Sequence, residues 1–222
     1  MKLAPISRVT RSHASAQANY DRLSRWYDLI EGGWEKSPRR LGLEALKVMP
    51  GERALEIGCG TGSSLAELSR QVYAVGLDLS AGMLSRADGR LKKSGRPTPL
   101  LQGDALHLPF PSGCFDGVFL AFTLELIDTP EIPLVLGETR RVLLPSGRLA
   151  VVSLSKEGGI GFMQEFYEWA HARFPDLVDC RPIYLRQCLE EAGFEVVKYR
   201  LISRSGLGIE VAVANPGIKI PP

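Results

Sequence analysis

The strongest constraint on the fold is the segment Ala54-Leu-Glu-Ile-Gly-Cys-Gly-Thr-Gly62, where a short aliphatic run ends in three glycines at alternate positions. Arg53 to Ile57 reads as a buried strand, while Ser63 and Ser64 lead into a helix carrying Leu65 and Leu68. Gly58, Gly60 and Gly62 therefore fall where a strand turns into a helix. Without Cβ atoms they let the turn tighten and let a ligand lie against the backbone. A ligand crevice at the carboxyl end of a parallel sheet is the expected consequence.

The remainder of the chain alternates in the same way. Further strands are predicted at Val72 to Leu77, Pro99 to Gln102, Phe115 to Ala121 and Arg148 to Leu154. Ser37 and Pro38 open a helix with Leu41, Ala45 and Val48 on one face, stopped by Pro50 and Gly51. Thr129 and Pro130 open another that runs to Leu144 and closes at Pro145, Ser146 and Gly147. Phe194 to Ser203 and Gly208 to Asn215 read as a closing hairpin. The expected fold is α/β, Rossmann-like: a seven-stranded, mostly parallel sheet with helices on both faces and one antiparallel strand near the edge. N-terminal helices and a helical lid complete it. The lid has a glycine hinge at Gly158, Gly159 and Gly161, and an aromatic stripe of Phe162, Phe166 and Trp169. Residues 1–222 form one expected domain, with a helical cover at 1–49, a cofactor core at 50–155, lid helices at 156–192 and closing strands at 193–222.

Composition removes several function classes. Lys and Arg total 27 against 25 Asp and Glu, so a net charge of +2 supplies no field to draw in nucleic acid. The longest apolar stretch, around Gly117 to Ile127, contains Glu125 and is far short of the roughly 20 residues that span a bilayer. No transmembrane segment is expected, and any membrane contact would be transient. Cys59, Cys114, Cys180 and Cys188 show neither a C-x-x-C pair nor zinc spacing, so they read as reduced thiols of a cytoplasmic protein with no metal site. The first twenty residues carry Lys2, Arg8 and Arg11 without an acid and read as a plain basic arm. A small molecule is the expected partner; the oligomeric state is left open.

Dinucleotide sites place their third glycine three residues after the second, to bring a pyrophosphate onto backbone amides. Here the interval is two, and the acid Glu56 precedes the motif. That pattern suits a ligand with an amino-acid tail and no phosphate, which describes S-adenosylmethionine. Asp78 ends the second strand and can accept hydrogen bonds from ribose hydroxyls. Ser80 can cap the next helix, on whose first turn Met83 can meet an adenine ring. Asp104, in Gln102-Gly-Asp-Ala105, can accept from the adenine amino group. Three acids thus follow three successive strand ends.

On these motifs the sequence resembles the class I S-adenosylmethionine-dependent methyltransferases over roughly Leu41 to Asn215. Asn19-Tyr-Asp-Arg-Leu-Ser-Arg-Trp-Tyr-Asp28, Phe110-Pro-Ser-Gly-Cys-Phe-Asp-Gly-Val118 and Arg141-Val-Leu-Leu-Pro-Ser-Gly-Arg148 are similar to segments of the ubiquinone/menaquinone C-methyltransferases and their relatives. The resemblance implies that Glu56, Gly58, Cys59 and Gly60 line the methionine portion, Asp78 and Leu79 the ribose, and Gly103, Asp104 and Ala105 the adenine. It also implies that Tyr20 and Tyr27 close over the cofactor. Where the quinone enzymes carry an Arg-Asn pair after the fourth strand, this chain reads Phe122-Thr-Leu-Glu-Leu-Ile-Asp128. Methyl transfer needs an acceptor held in line behind the sulfonium methyl, which positioning supplies. Glu125, His171 and Tyr27 are the candidates for a general base. Competing readings are a protein that binds the cofactor without turnover, a nicotinamide-dependent oxidoreductase, and methylation of a soft metalloid held by the four cysteines.

Overall fold

The computed structural model describes residues 35–157 and 180–217, together with Ile6, Arg8, Val9, Asp21 and Arg173. Its elements run α1 (Lys36–Leu46), β1 (Arg53–Ile57), α2 (Ser63–Leu68), β2 (Tyr73–Asp78), α3 (Ala81–Lys93), β3 (Leu100–Gln102) and β4 (Phe115–Ala121). Two single 3₁₀ turns, Leu124–Leu126 and Thr129–Glu131, lead to α4 (Ile132–Val142), β5 (Leu143–Ser155), α5 (Leu185–Glu191), β6 (Phe194–Arg204) and β7 (Leu207–Pro216). The seven strands lie in the order β3-β2-β1-β4-β5-β7-β6. All neighbours are parallel except β7, which runs antiparallel to both β5 and β6. The sheet expected from the alternating pattern is therefore present, with its antiparallel strand second from the edge.

Alternation along each strand divides the core into two layers. Leu55, Ile57, Val75, Leu77, Val118 and Leu120 pack on one face, against Val135 and Leu136 of α4 and Leu185 and Leu189 of α5. Ala54, Ala74, Phe119, Ala121, Ala150 and Val152 pack on the other, against Leu43 and Leu46 of α1 and Leu65 and Leu68 of α2. Both faces are covered, so the central strands read as continuous apolar runs. Each fully buried Leu or Ile contributes about 1.5–3 kcal/mol.

Three local expectations are corrected. The buried stripe of α1 is Pro38, Arg39, Gly42, Leu43 and Leu46; of the expected face, Val48 is buried just past the helix end, whereas Leu41 and Ala45 are only half-buried. Gly42 sets that rotation: a Cβ there would lie 2.4 Å from Val152 and 2.8 Å from Phe119, so only the glycine face can approach the sheet so closely. The helix after Pro130 ends at Val142, and β5 starts at once, with Leu143 pairing with Phe115. Pro145, Ser146 and Gly147 thus form an irregularity inside a long strand, where the register shifts before Gly117 meets Arg148. The cap of the Thr129 turn is Asp128, whose carboxylate accepts the Thr129 N–H at 2.8 Å. Gly158, Gly159, Gly161, Phe162, Phe166 and Trp169, the predicted hinge and lid stripe, lie outside the described residues. Among the described residues no helix is long and apolar enough to cross a membrane.

Candidate functional site

Chain order along the sheet reverses between β1 and β4, and a cleft of about 1140 Å³, open mouth included, lies there at the strands' carboxyl ends. One wall is built from the ends of β1, β2 and β3. Past Ile57 the chain folds over β2, with the Gly58 and Cys59 N–H groups both donating to the Leu77 carbonyl at 2.8 and 3.1 Å. Asp78 is clamped at this junction. Its Oδ2 accepts the Gly60 N–H at 2.8 Å and its Oδ1 accepts the Ser80 N–H at 2.9 Å. Each carboxylate oxygen can accept more than one bond, so the group is oriented with capacity remaining for a ligand hydroxyl. Burial raises the Asp78 pKa, and the Ser80 and Gly60 N–H groups oppose that rise.

Leu79, Met83, Gly103, Asp104 and Ala105 continue this wall. The Ser80 side chain caps α3 by accepting the Met83 N–H at 3.1 Å, and Asp21 accepts from the Ser80 hydroxyl at 2.5 Å and from Gly82 N–H at 2.9 Å. Asp104 accepts the Leu106 N–H at 2.9 Å, which turns the loop after β3. The predicted residues Gly58, Cys59, Gly60, Asp78, Leu79, Met83, Gly103, Asp104 and Ala105 are thereby brought together.

Two predicted residues are not on the wall. Gly62 has φ +76°, and a Cβ there would lie 2.9 Å from the Ala87 side chain, so this glycine lets α2 start against α3. Glu56 is fully buried within β1. Gly60, by contrast, would place a Cβ in open space on the cleft side, leaving its backbone bare. Burial, then the charges of Glu56 and Asp78, push the Cys59 thiol well above its usual value, so it stays protonated.

The facing wall is made of side chains from distant parts of the sequence: Val9, Arg39, Phe122, Thr123, Ile127 and Asp128 among them. Phe122 takes the left-handed conformation at φ +56°, unusual for a bulky residue, with its N–H held by the Val152 carbonyl at 2.8 Å. The guanidinium carbon of Arg39 stands 5.3 Å from the centre of its ring. Glu35 Oε2 accepts from Arg39 Nε at 3.1 Å and Nη2 at 2.7 Å. At the rim, Arg8 forks onto both Asp128 oxygens at 2.7–2.9 Å, and the Val9 N–H reaches Asp128 Oδ1 at 2.9 Å. Buried Arg181 fixes the same loop from beneath, donating to the Glu125 and Ile127 carbonyls, each at 2.7 Å, and to the Thr129 hydroxyl at 3.0 Å.

Glu125, a general-base candidate, sits behind this wall. Its side chain is fully buried, with Oε1 accepting the Leu154 N–H at 3.0 Å and Oε2 making no hydrogen bond among the described residues. The carboxylate takes the Leu154 amide where β4 has already turned away at Phe122. Burial raises its pKa to about 7, and nearby Glu35 adds to the rise. Tyr20, Tyr27 and His171 lie outside the described residues. Among the described residues no three His, Cys, Asp or Glu side chains are grouped to hold a metal. Cys59 and Cys180 pack with one core layer and Cys114 and Cys188 with the other, which removes the four-thiol metalloid reading.

Sequence reasoning missed Arg39, Phe122, Asp128 and Arg181. Arg39 carried a usable signal, a cation on the same helical stripe as Gly42, Leu43 and Leu46. Phe122 carried none, because its backbone strain appears only once β4 and β5 are paired.

A family model described as a methyltransferase domain matches residues 54–147. The chain is 36% identical over 146 residues to the ubiquinone/menaquinone biosynthesis C-methyltransferase of Paraburkholderia xenovorans, covering 64% of this chain and 58% of that protein. It thus spans less than two thirds of that relative's length. It is 30% identical over 217 residues to the demethylmenaquinone methyltransferase of Mycobacterium bovis, covering 93% and 88% of the two chains. Among solved structures, the [4+2]-cyclase SpnF superposes with a TM-score of 0.76 at 18% identity, covering 97% of this chain and all of that one. Geranyl diphosphate C-methyltransferase from Streptomyces coelicolor superposes with 0.65 at 13% identity, over 82% of this chain and 77% of its own. These two likenesses are of fold. The protein belongs to the class I S-adenosylmethionine-dependent methyltransferases. The cleft fits that family's cofactor: bare backbone at Gly60, an oriented carboxylate at Asp78 and the buried Met83 side chain lie along one wall.

Proposed function

We propose that the protein transfers the methyl group of S-adenosylmethionine to a small, predominantly apolar acceptor. The observation that carries this reading is Asp78, whose two oxygens are aimed by Gly60 and Ser80 into a cleft whose adjacent backbone is bare. A clamped carboxylate beside stripped backbone is what a ribose diol next to an amino-acid tail requires. Met83 and the Gly103 to Ala105 turn receive the purine, and Gly58 to Gly60 the tail. When bound, the sulfonium supplies an electrophilic methyl group, and the protein's task is to place the acceptor behind it and keep water out.

Val9, Phe122, Leu126 and Ile127 give the facing wall an apolar surface. Relatives named for quinone methylation support an apolar acceptor, although the segment Phe122 to Asp128 lacks the Arg-Asn pair that the resemblance leads one to expect after the fourth strand. Glu125, held by the Leu154 amide behind the wall, acts as a structural carboxyl. The test is calorimetric titration with S-adenosylhomocysteine, followed by transfer of a labelled methyl from S-adenosylmethionine to a panel of apolar phenols, enols and amines. Binding with turnover on at least one acceptor is expected. Absence of binding at millimolar ligand refutes the cofactor assignment, and binding without turnover on any acceptor refutes catalysis.

A further inference from the structure

We propose that Glu138 and Arg141 of α4 are positioning residues for the purine end of the cleft: by clamping the loop after β3 they hold Asp104 and Ala105 at the wall, and so set how sharply the site tells adenine from a purine without the 6-amino group. The proposal rests on the reading that the cleft holds an adenosyl thioether. Residues 103–114, between β3 and β4, form no helix or strand, so the backbone groups of this stretch need partners outside a regular ladder. Its near end is tied to the sheet, where the Gly103 N–H donates to the Asp78 carbonyl at 3.0 Å. Asp104 then makes the turn rigid, its carboxylate accepting the Leu106 N–H at 2.9 Å and its carbonyl the His107 N–H at 3.1 Å.

The far end is held by α4. Glu138 Oε2 accepts the Leu108 N–H at 2.8 Å, while Arg141 donates through Nη2 to the Leu108 carbonyl at 2.9 Å and through Nη1 to the Phe110 carbonyl at 2.7 Å. The two side chains also hold each other, with Arg141 Nε on Glu138 Oε1 at 2.6 Å and Nη2 on Oε2 at 2.8 Å. A partly exposed ion pair three residues apart on a helix adds little to stability by itself. Here both members also reach the backbone of one loop, and their charges make those bonds short and directional. Leu106, Leu108 and Phe110 pack on the core beneath, but apolar burial is non-directional and sets only the depth of the loop. The planar fork sets its angle. Asp104 and Ala105 lie between the two tied ends, so a shift at Leu108 is carried through the rigid turn to the wall that meets the purine.

Two thioethers read the purine end by itself: S-adenosylhomocysteine, and S-inosylhomocysteine, in which an oxygen replaces the 6-amino group. Calorimetry on the wild type should favour the adenine compound about tenfold or more, the equivalent of one charge-assisted hydrogen bond from that amino group to Asp104. In Arg141→Gln the preference should narrow to below about threefold, through weaker binding of S-adenosylhomocysteine. Glu138→Ala should act in the same direction, and it serves if the Gln variant does not fold. Arg141→Lys keeps the charge but loses the fork, so it should restore only part of the preference. A merely structural pair would lower the melting temperature and leave the ratio of the two affinities at its wild-type value, and that result overturns the proposal. So does a wild type that binds both thioethers equally well. A wild type that binds neither refutes the cofactor reading itself, which is a different failure.

Discussion

The two walls of the cleft hold ligands by different means. The wall at β1 to β3 is backbone and short acids: three strand ends, a glycine turn, and carboxylates fixed by backbone amides of the strand-end turns. The opposite wall is assembled from Val9, Arg39, Phe122 and Asp128, which are far apart in sequence and are held by one another. A wall made of strand ends is as rigid as the sheet and suits a ligand that never changes. A wall made of mutually supporting side chains can be altered one residue at a time, which suits the partner that differs between enzymes of one fold.

Asp78→Ala gives the largest expected effect, because it removes the group on which the first wall depends. Two charge-assisted hydrogen bonds to a ribose are each worth about 1.5–3 kcal/mol, so the dissociation constant for S-adenosylhomocysteine should rise roughly a hundredfold or more by calorimetry. A change below about threefold would mean the ribose lies elsewhere.

The same contrast decides how much was legible in the sequence. Gly58, Gly60, Asp78 and Asp104 were readable because each takes its role from a local rule: a turn without Cβ atoms, or an acid at the end of a strand. The mostly parallel seven-stranded sheet follows from the same alternation, whereas the order of its strands is set by tertiary packing. Arg39 was missed because the stripe of α1 was rotated by the close approach of Gly42 to Val152, a tertiary contact with no sequence signal. Glu125 was misplaced for a related reason. Its position after β4 suggested the cleft, but the left-handed turn at Phe122 sends the side chain back to the Leu154 amide. Gly62 looked like its two neighbours and serves helix packing, because the partner that requires it, Ala87, is 25 residues away in the sequence.

Glu125→Gln tests whether the second wall hides a base. As a structural carboxyl, Glu125 with its pKa raised to about 7 is protonated in the folded chain over pH values where it is ionised in the unfolded chain. The folded state then binds more protons, so this group's contribution makes stability fall as pH rises from the ordinary carboxyl range to about 7, by on the order of 3 kcal/mol. The neutral amide should remove that slope from the urea-unfolding free energy while leaving methyl transfer within a few fold. A loss of turnover of about 10²- to 10⁴-fold, with S-adenosylhomocysteine affinity unchanged, would instead make Glu125 the base.

A pair of alanine substitutions sharpens the difference between lining the cleft and supporting it. Gly62→Ala adds a Cβ 2.9 Å from Ala87 at φ +76°. Left-handed strain of about 1–2 kcal/mol and overpacking of similar size should lower the melting temperature by roughly 5–10 °C, with little effect on cofactor affinity in the protein that remains folded. Gly60→Ala meets no protein atom within 4 Å, so its stability cost is the backbone term alone, about 1–2 kcal/mol. Its new methyl group intrudes on the ligand, and S-adenosylhomocysteine affinity should fall at least tenfold. The reverse pattern would exchange the roles given to the two glycines.

The smallest effects are expected at the rim, where Arg8 and Asp128 form an ion pair whose members differ in consequence. The Arg8 side chain is 61% exposed against 15% for Asp128, so Arg8→Ala should leave the unfolding midpoint unchanged within error at about 0.15 M salt. Asp128 also accepts the Val9 N–H that ties the N-terminal segment to the wall and the Thr129 N–H that starts the next turn. Asp128→Ala should therefore cost about 0.5–2 kcal/mol, the range for a lost cap. The Arg8 hydrogen bond holds the Asp128 pKa below the usual carboxylate range, so its contribution is present at neutral pH and disappears as the pH falls through that lowered value. Equal losses from the two substitutions would show that the exposed guanidinium, rather than the two backbone amides, holds this edge of the wall.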